Sequence, residues 1–179
     1  MTQSASDMAE LDTAELNQHL FTSYALTGQF APLPGEIDAN FAVTTDADQR
    51  FLLRVHASGV ARDEIELQAA VLQYLQSADP TLPVQRIVPS TSGELLPIVT
   101  AADGSPSELR LTTWLEGDVW AHSISPQRTQ RAASAASLGR LLAKLDKALE
   151  LFDHPAADRE HRWDLARSED HLKLVSLID

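Results

Sequence analysis

The chain has 179 residues, 44% apolar but only 6% aromatic, with 26 acidic side chains against 14 basic ones and a formal net charge of −12. An acid excess of this size, with no basic cluster to offset it, argues against nucleic-acid binding. The lack of cysteine removes any disulfide framework, thiolate metal site or cysteine nucleophile.

The polar, acidic start, "MTQSASDMAELDTAEL", has neither the basic nor the apolar region of a signal peptide. No apolar run approaches the length of a membrane span. The expectation is a cytoplasmic domain with no membrane partner, and residues 1–12 read as a loose tail.

Leu16, Leu20, Tyr24 and Ala25 then share a helical spacing that predicts a helix from Thr13 to about Leu26, with Thr13 as N-cap and Gly28 as its stop. Three strands follow, at Gln29–Leu33, Asn40–Thr44 and Phe51–His56. Pro34-Gly35 turns the chain between the first two, and "TTDADQ" between the second and third.

A helix over Ala61–Gln76 comes next. Ile65, Ala69, Leu72 and Leu75 make one apolar face, and Leu67, Val71 and Tyr74 a second, so the helix is expected to be sandwiched. Strands at Glu94–Ala101 and Glu108–Trp114 flank the "ADGSP" turn. A long helix from a Ser125 cap to Phe152 carries a stripe of Leu138, Leu141, Leu142, Leu145, Leu149 and Phe152, opposite Arg140, Lys144 and Lys147. A last helix is predicted over Arg162–Leu177. Short turns between consecutive strands imply an antiparallel sheet, hence an α+β fold of about five strands with one packed helix.

One residue in this pattern asks for an explanation. Arg54 puts a single cation between Leu53 and Val55, and a helix carrying Glu64, Glu66 and Gln68 stands directly behind. An edge strand could send such a charge to solvent, and first-turn acids favour any helix dipole. A phosphate-binding cleft would use the same residues differently: a cation on a strand, with a helical partner that orients it.

Five strands, interrupted after the third by one helix and followed by helices, resemble a protein-kinase-like N-lobe. The stretches "LPGEIDANFAV", "FLLRV", "IELQAAVLQYL", "LRLTTWLEG" and "LGRLLAKLDKALELFDHPAADREHRWDL" narrow this. They resemble the aminoglycoside phosphotransferase/choline kinase superfamily, and within it hydroxylysine-kinase-like phosphotransferases, including those fused to class III aminotransferases. The similarity runs from about residue 14 to the end.

The resemblance implies a nucleotide-binding N-lobe over residues 13–117 and the first helices of a truncated second lobe over 118–179. It places Arg54 where the family carries its phosphate-anchoring lysine. Glu66 and Gln68 compete for the helical partner: spacing along the helix favours Gln68, charge favours Glu66. Asp38 and Asn40 fall in the turn that stands in for a glycine-rich loop. Thr113 and Leu115 fall at the hinge that meets adenine, and Gly117 lets the chain leave.

Arginine for lysine exchanges a point charge for a planar fork, which raises the alternative of a non-catalytic module that regulates or scaffolds an attached aminotransferase. The resemblance further implies ATP with Mg2+ as cofactor in a longer parent, and pyridoxal phosphate only if an aminotransferase is fused. The acceptor would be a hydroxyl on an amino acid or amino alcohol.

The family's catalytic loop, with its base and metal ligands, has no match here, since no asparagine follows Asn40. No catalytic residue and no metal ligand is therefore expected in the chain, and the chain alone is expected to be inactive. His154, Asp158 and His161 lack the spacing of a metal site. The apolar end of the last predicted helix, a surface that the missing second lobe would normally cover, is expected either to fold back on the Leu138–Phe152 stripe or to mediate self-association.

Overall fold

The computed structural model describes residues 12–57, 59–100, 104–119 and 128–158. Helix α1 (Thr13–Tyr24) starts under Asp12, whose carboxylate accepts from the Ala14 N–H at 3.1 Å. Asp12 and not Thr13 is thus the N-cap, its carboxylate accepting one of the N–H groups that the first turn leaves without a helical partner. The helix ends at Ala25, which takes the left-handed conformation at φ 53° and sends its N–H to the Phe21 carbonyl. The stop lies three residues before Gly28.

Strands β1 (Gly28–Leu33), β2 (Ala39–Thr45) and β3 (Arg50–Val55) form a meander. Helix α2 (Arg62–Ala78) follows, then the short β4 (Ile87–Val88) and β5 (Ile98–Thr100), and β6 (Pro106–Thr113). Among the described residues the sheet is six-stranded and antiparallel in every pairing, in the order β1-β2-β3-β6-β4, with β5 also on β6. The sixth strand, β4, is the one that sequence reading passed over. Two residues flanked by polar and proline positions carry no period.

Helix α3 (Arg128–Leu149) closes the described part. Its expected start at Ser125, the last helix at Arg162–Leu177 and the self-association assigned to that helix all lie outside the described residues.

The alternation along β2 and β3 sorts side chains onto two faces. On one face Phe41, Val43, Leu53, Val55, Leu109 and Leu111 pack under Leu16, Leu20 and Tyr24 of α1. Leu53, Leu109 and Leu111 are wholly buried there. On the other face α2 lays Ile65 and Ala69 against Ile87 and Leu96, with Leu72 beside them. The second apolar side of α2 is only partly covered, chiefly where Tyr74 meets Phe152, ring centroids 5.2 Å apart. The sheet is therefore held between two helices, whereas α2, expected to be sandwiched, is buried on its sheet side and covered only in part on the other.

Helix α3 leaves Leu138 and Leu142 of its leucine stripe 40% and 49% exposed, while Leu141, Leu145 and Leu149 of the same stripe are half-buried.

Candidate functional site

The face of the sheet opposite α1 carries the polar residues. Strand register sets Asn40, Arg54 and Arg110 side by side on β2, β3 and β6. Directly paired residues share a face, so these three form one row. The next row is Ala42, Leu52 and Thr112.

Arg54 sits about one-third exposed, and its Nε donates to Oδ1 of Asn40 at 2.8 Å. Its Nη1 lies 3.7 Å from Oδ2 of Asp38. Asn40 in turn donates to the carbonyls of Pro34 and Asp38, at 3.4 and 3.3 Å, so the β1–β2 turn is tied to the guanidinium.

Gly35 makes this closeness workable. A Cβ there would run into the Asp38 carbonyl and stand 2.6 Å from the Asn40 amide nitrogen. Only glycine lets the turn close this tightly on its own asparagine.

Asp38 is the hub. Its Oδ1 accepts the Ala57 N–H at 3.1 Å, and its Oδ2 lies 3.1 Å from Nδ1 of His56, whose ring is 1% exposed. Burial works to raise the Asp38 pKa, but His56, the Ala57 amide and Arg54 together outweigh it and hold the carboxyl below its ordinary value. The backbone at His56 is fixed as well, its N–H donating to the Glu108 carbonyl at 3.0 Å.

Arg110 is 6% exposed, and its Nη1 has no hydrogen-bond partner among the described residues. Burial pushes its pKa down to about 10; neighbouring Arg54 adds to the fall and Asp38 opposes it.

The expected link from Arg54 to Glu66 or Gln68 is replaced by the link to Asn40 and Asp38. Glu66 faces outward and accepts from Nε of Arg62 at 2.8 Å, one turn earlier on α2; Arg62 also reaches Glu108 at 3.3 Å. Residues four apart on a helix are neighbours on its surface, so Arg62 engages Glu66 on the outer side of α2. Gln68 is half-buried, three residues after Ile65 and four before Leu72, on the sheet-facing side of α2.

Thr113 and Leu115, expected at a hinge, lie at the other end of β6. Thr113 is pinned to Arg86 through its N–H and its hydroxyl, both at 2.9 Å, and Leu115 is 46% exposed. Arg50 stacks 4.2 Å over the Trp114 ring and bonds Glu116 at 3.0 Å. Gly117 then takes φ 148°, which L side chains rarely adopt, so the chain can leave the sheet there.

Two members of the cluster escaped sequence reading. Arg110 had the same signal as Arg54: "LRL" repeats the lone cation of "LRV". His56 gave no signal beyond ending a strand. Among the described residues no group of three or more His, Asp or Glu could hold a metal ion, and no helix is long and apolar enough to cross a membrane.

An antiparallel sheet with a basic row on one face and a packed helix after its third strand is the fold of a kinase-like N-lobe. The phosphotransferase enzyme family matches residues 29–177, and the chain belongs to that family. Hydroxylysine kinase of Bos taurus is 33% identical over 159 residues, 83% of this chain and 40% of the relative. Hydroxylysine kinase of Mus musculus is 33% identical over 149 residues, 75% and 38% of the two chains. The chain thus spans about 40% of the length of the curated relatives it matches.

Two solved structures share the fold. A microcompartment-associated aminopropanol kinase superposes with a TM-score of 0.58 at 22% identity, over 84% of this chain and 45% of the other. An amicoumacin kinase in complex with AMP-PNP, Ca2+ and Ami gives 0.67 at 16% identity, over 96% and 49%.

Proposed function

We propose that residues 13–117 form the nucleotide-binding lobe of a small-molecule kinase, with residues 118–179 opening the second lobe. The acceptor would be a hydroxyl on an amino acid or amino alcohol. The observation that carries the reading is the row of Asn40, Arg54 and Arg110, which puts two permanent cations against the single carboxylate of Asp38. That surplus suits the phosphates of ATP. The family membership, the hydroxylysine kinases at 33% identity and a structural neighbour solved with AMP-PNP and Ca2+ support it.

The orphaned Nη1 of Arg110 and the partly exposed guanidinium of Arg54 fit an anionic phosphate chain. Arg54 would hold it, with Asn40 and Asp38 fixing the fork. Thr113 and Leu115 would offer backbone groups to the base. A divalent ion bound with ATP would neutralise charge on the phosphates. This chain's own part is to bind and orient, while the general base and metal ligands of transfer would come from elsewhere in the full enzyme.

The chain with ATP, Mg2+ and hydroxylysine or 1-amino-2-propanol should accordingly bind nucleotide yet form no phosphorylated product. Binding is read by calorimetry and product by mass spectrometry. Reproducible Mg2+-dependent product would contradict the division of labour, and absence of ATP binding would contradict the lobe assignment.

A second reading is favoured by one observation. Glu66, the only helical carboxylate among the two partner candidates, is taken by Arg62. A lobe that has lost the cation–carboxylate pair of an active kinase suits a non-catalytic module that scaffolds an attached enzyme. Its signature would be ATP affinity without turnover in the full-length protein.

A further inference from the structure

We propose that Arg110 is a second anion-binding cation, which with Arg54 forms one site for a phosphate or polyphosphate group on the face of the sheet opposite α1. The two residues are directly paired across β3 and β6. Side chains so placed stand about 5 Å apart at Cβ, and like charges at that spacing repel. The neighbours Leu109 and Leu111 point the other way, into the core under α1, while Glu108 and Thr112 share the face of Arg110.

A buried guanidinium normally fills its five N–H groups, because an unmet donor out of water is costly. Arg110 does not: its Nη1 is buried and has no partner among the described residues. The nearby charges leave it unsatisfied. Among the described residues Asp38 is the one carboxylate that acts on it favourably, and that group is already shared among His56, the Ala57 N–H and Arg54. Glu108, two residues along β6 on the same face, is turned to Arg62. The cluster of Arg54, Arg110, His56 and Asp38 therefore keeps a surplus positive charge around an empty donor.

An anion resolves both defects. One phosphate oxygen would take the free Nη1, and the group as a whole would screen the two arginines from each other. Arg54, partly exposed, gives the anion its way in. Paired guanidinium forks suit the tetrahedral oxygens of phosphate better than a single ammonium does. The inference deepens the nucleotide reading by assigning a second cation to the same phosphates, yet it stands on the anion alone.

The test is calorimetry on the full 179-residue chain with tripolyphosphate, orthophosphate, ATP and adenosine at low salt, alongside thermal unfolding. Wild type should bind tripolyphosphate, and Arg110→Met should weaken it by roughly tenfold or more. Arg110→Met should also melt no lower than wild type without ligand, since it removes a buried unpaired charge, and should lose the stabilisation by tripolyphosphate. A merely structural arginine would give the reverse pattern.

Asp38→Asn, which removes the competing carboxylate, should tighten tripolyphosphate binding and carries the test if Arg110→Met does not fold. Unchanged affinity in Arg110→Met, weaker or unchanged affinity in Asp38→Asn, or no polyphosphate binding by wild type would overturn the proposal. Tripolyphosphate bound as tightly as ATP, and dependent on Arg110, would support the anion site while counting against the nucleotide reading. Orthophosphate bound in preference to tripolyphosphate would support a site for a single phosphoryl group, again independent of the nucleotide.

Discussion

Arg54 is aimed by Asn40: its Nε donates to Oδ1 of the asparagine at 2.8 Å, across directly paired positions of β3 and β2. The same asparagine holds the carbonyls of Pro34 and Asp38. One side chain thus couples the orientation of the cation to the shape of the turn. Asn40→Ala should lower stability by about 1 kcal/mol, the net worth of an ordinary hydrogen bond, and should weaken ATP binding by roughly tenfold as Arg54 loses its acceptor. Urea unfolding and an ATP titration on the same variant check the two effects separately.

Asp38 predicts an acid limb. Its carboxyl is held below the ordinary value in the fold, so the native state binds its proton less readily than the unfolded chain does. The resulting stabilisation is complete above the unfolded value, about 3.9, and is lost as pH falls through the folded value. Asp38→Asn should flatten that part of the stability–pH curve below about pH 4. Denaturant midpoints measured from neutral pH downward would show it; an unaltered acid limb would mean that Asp38 is not the titrating group.

Gly35→Ala tests the turn. The added methyl would collide with the Asp38 carbonyl, which is backbone and cannot simply swing aside. The expected cost is about 1–3 kcal/mol, as for overpacking elsewhere, together with weaker nucleotide binding because Asn40 is displaced. A variant as stable as wild type, with unaltered ATP affinity, would show that the turn does not shape the site.

Glu66→Ala should leave nucleotide affinity unchanged and lower stability by no more than about 0.5 kcal/mol, since the pair with Arg62 is an exposed i,i+4 contact. A large loss of ATP affinity would instead mean that Glu66 leaves Arg62 and turns inward to serve Arg54.

Much of this architecture could be read from residue order because each element carries a strong local period. The alternation of Phe41 and Val43, the Pro34-Gly35 turn and the two apolar sides of α2 placed the meander and the packed helix. What escaped has a physical reason in each case. Ile87–Val88 is a strand only because β6 offers it an edge. The true partners of Arg54 depend on register: Asn40 stands opposite it only because Leu33 pairs with Asn40 and Ala39 with Val55.

Glu66 was a candidate on charge alone, and charge does not say that Arg62 lies one turn away on the same side of the helix. Arg110 and His56 became part of the site through strand pairing, which no window of sequence reports.

The most direct measurement is an ATP titration by calorimetry of wild type, Arg54→Ala and Arg54→Lys under one salt condition. The account predicts that Arg54→Ala loses most of the binding, while Arg54→Lys retains it because the positive charge stays within the Asn40–Asp38 cradle. Equal ATP affinity for wild type and Arg54→Ala would contradict the assignment of this face as the phosphate site.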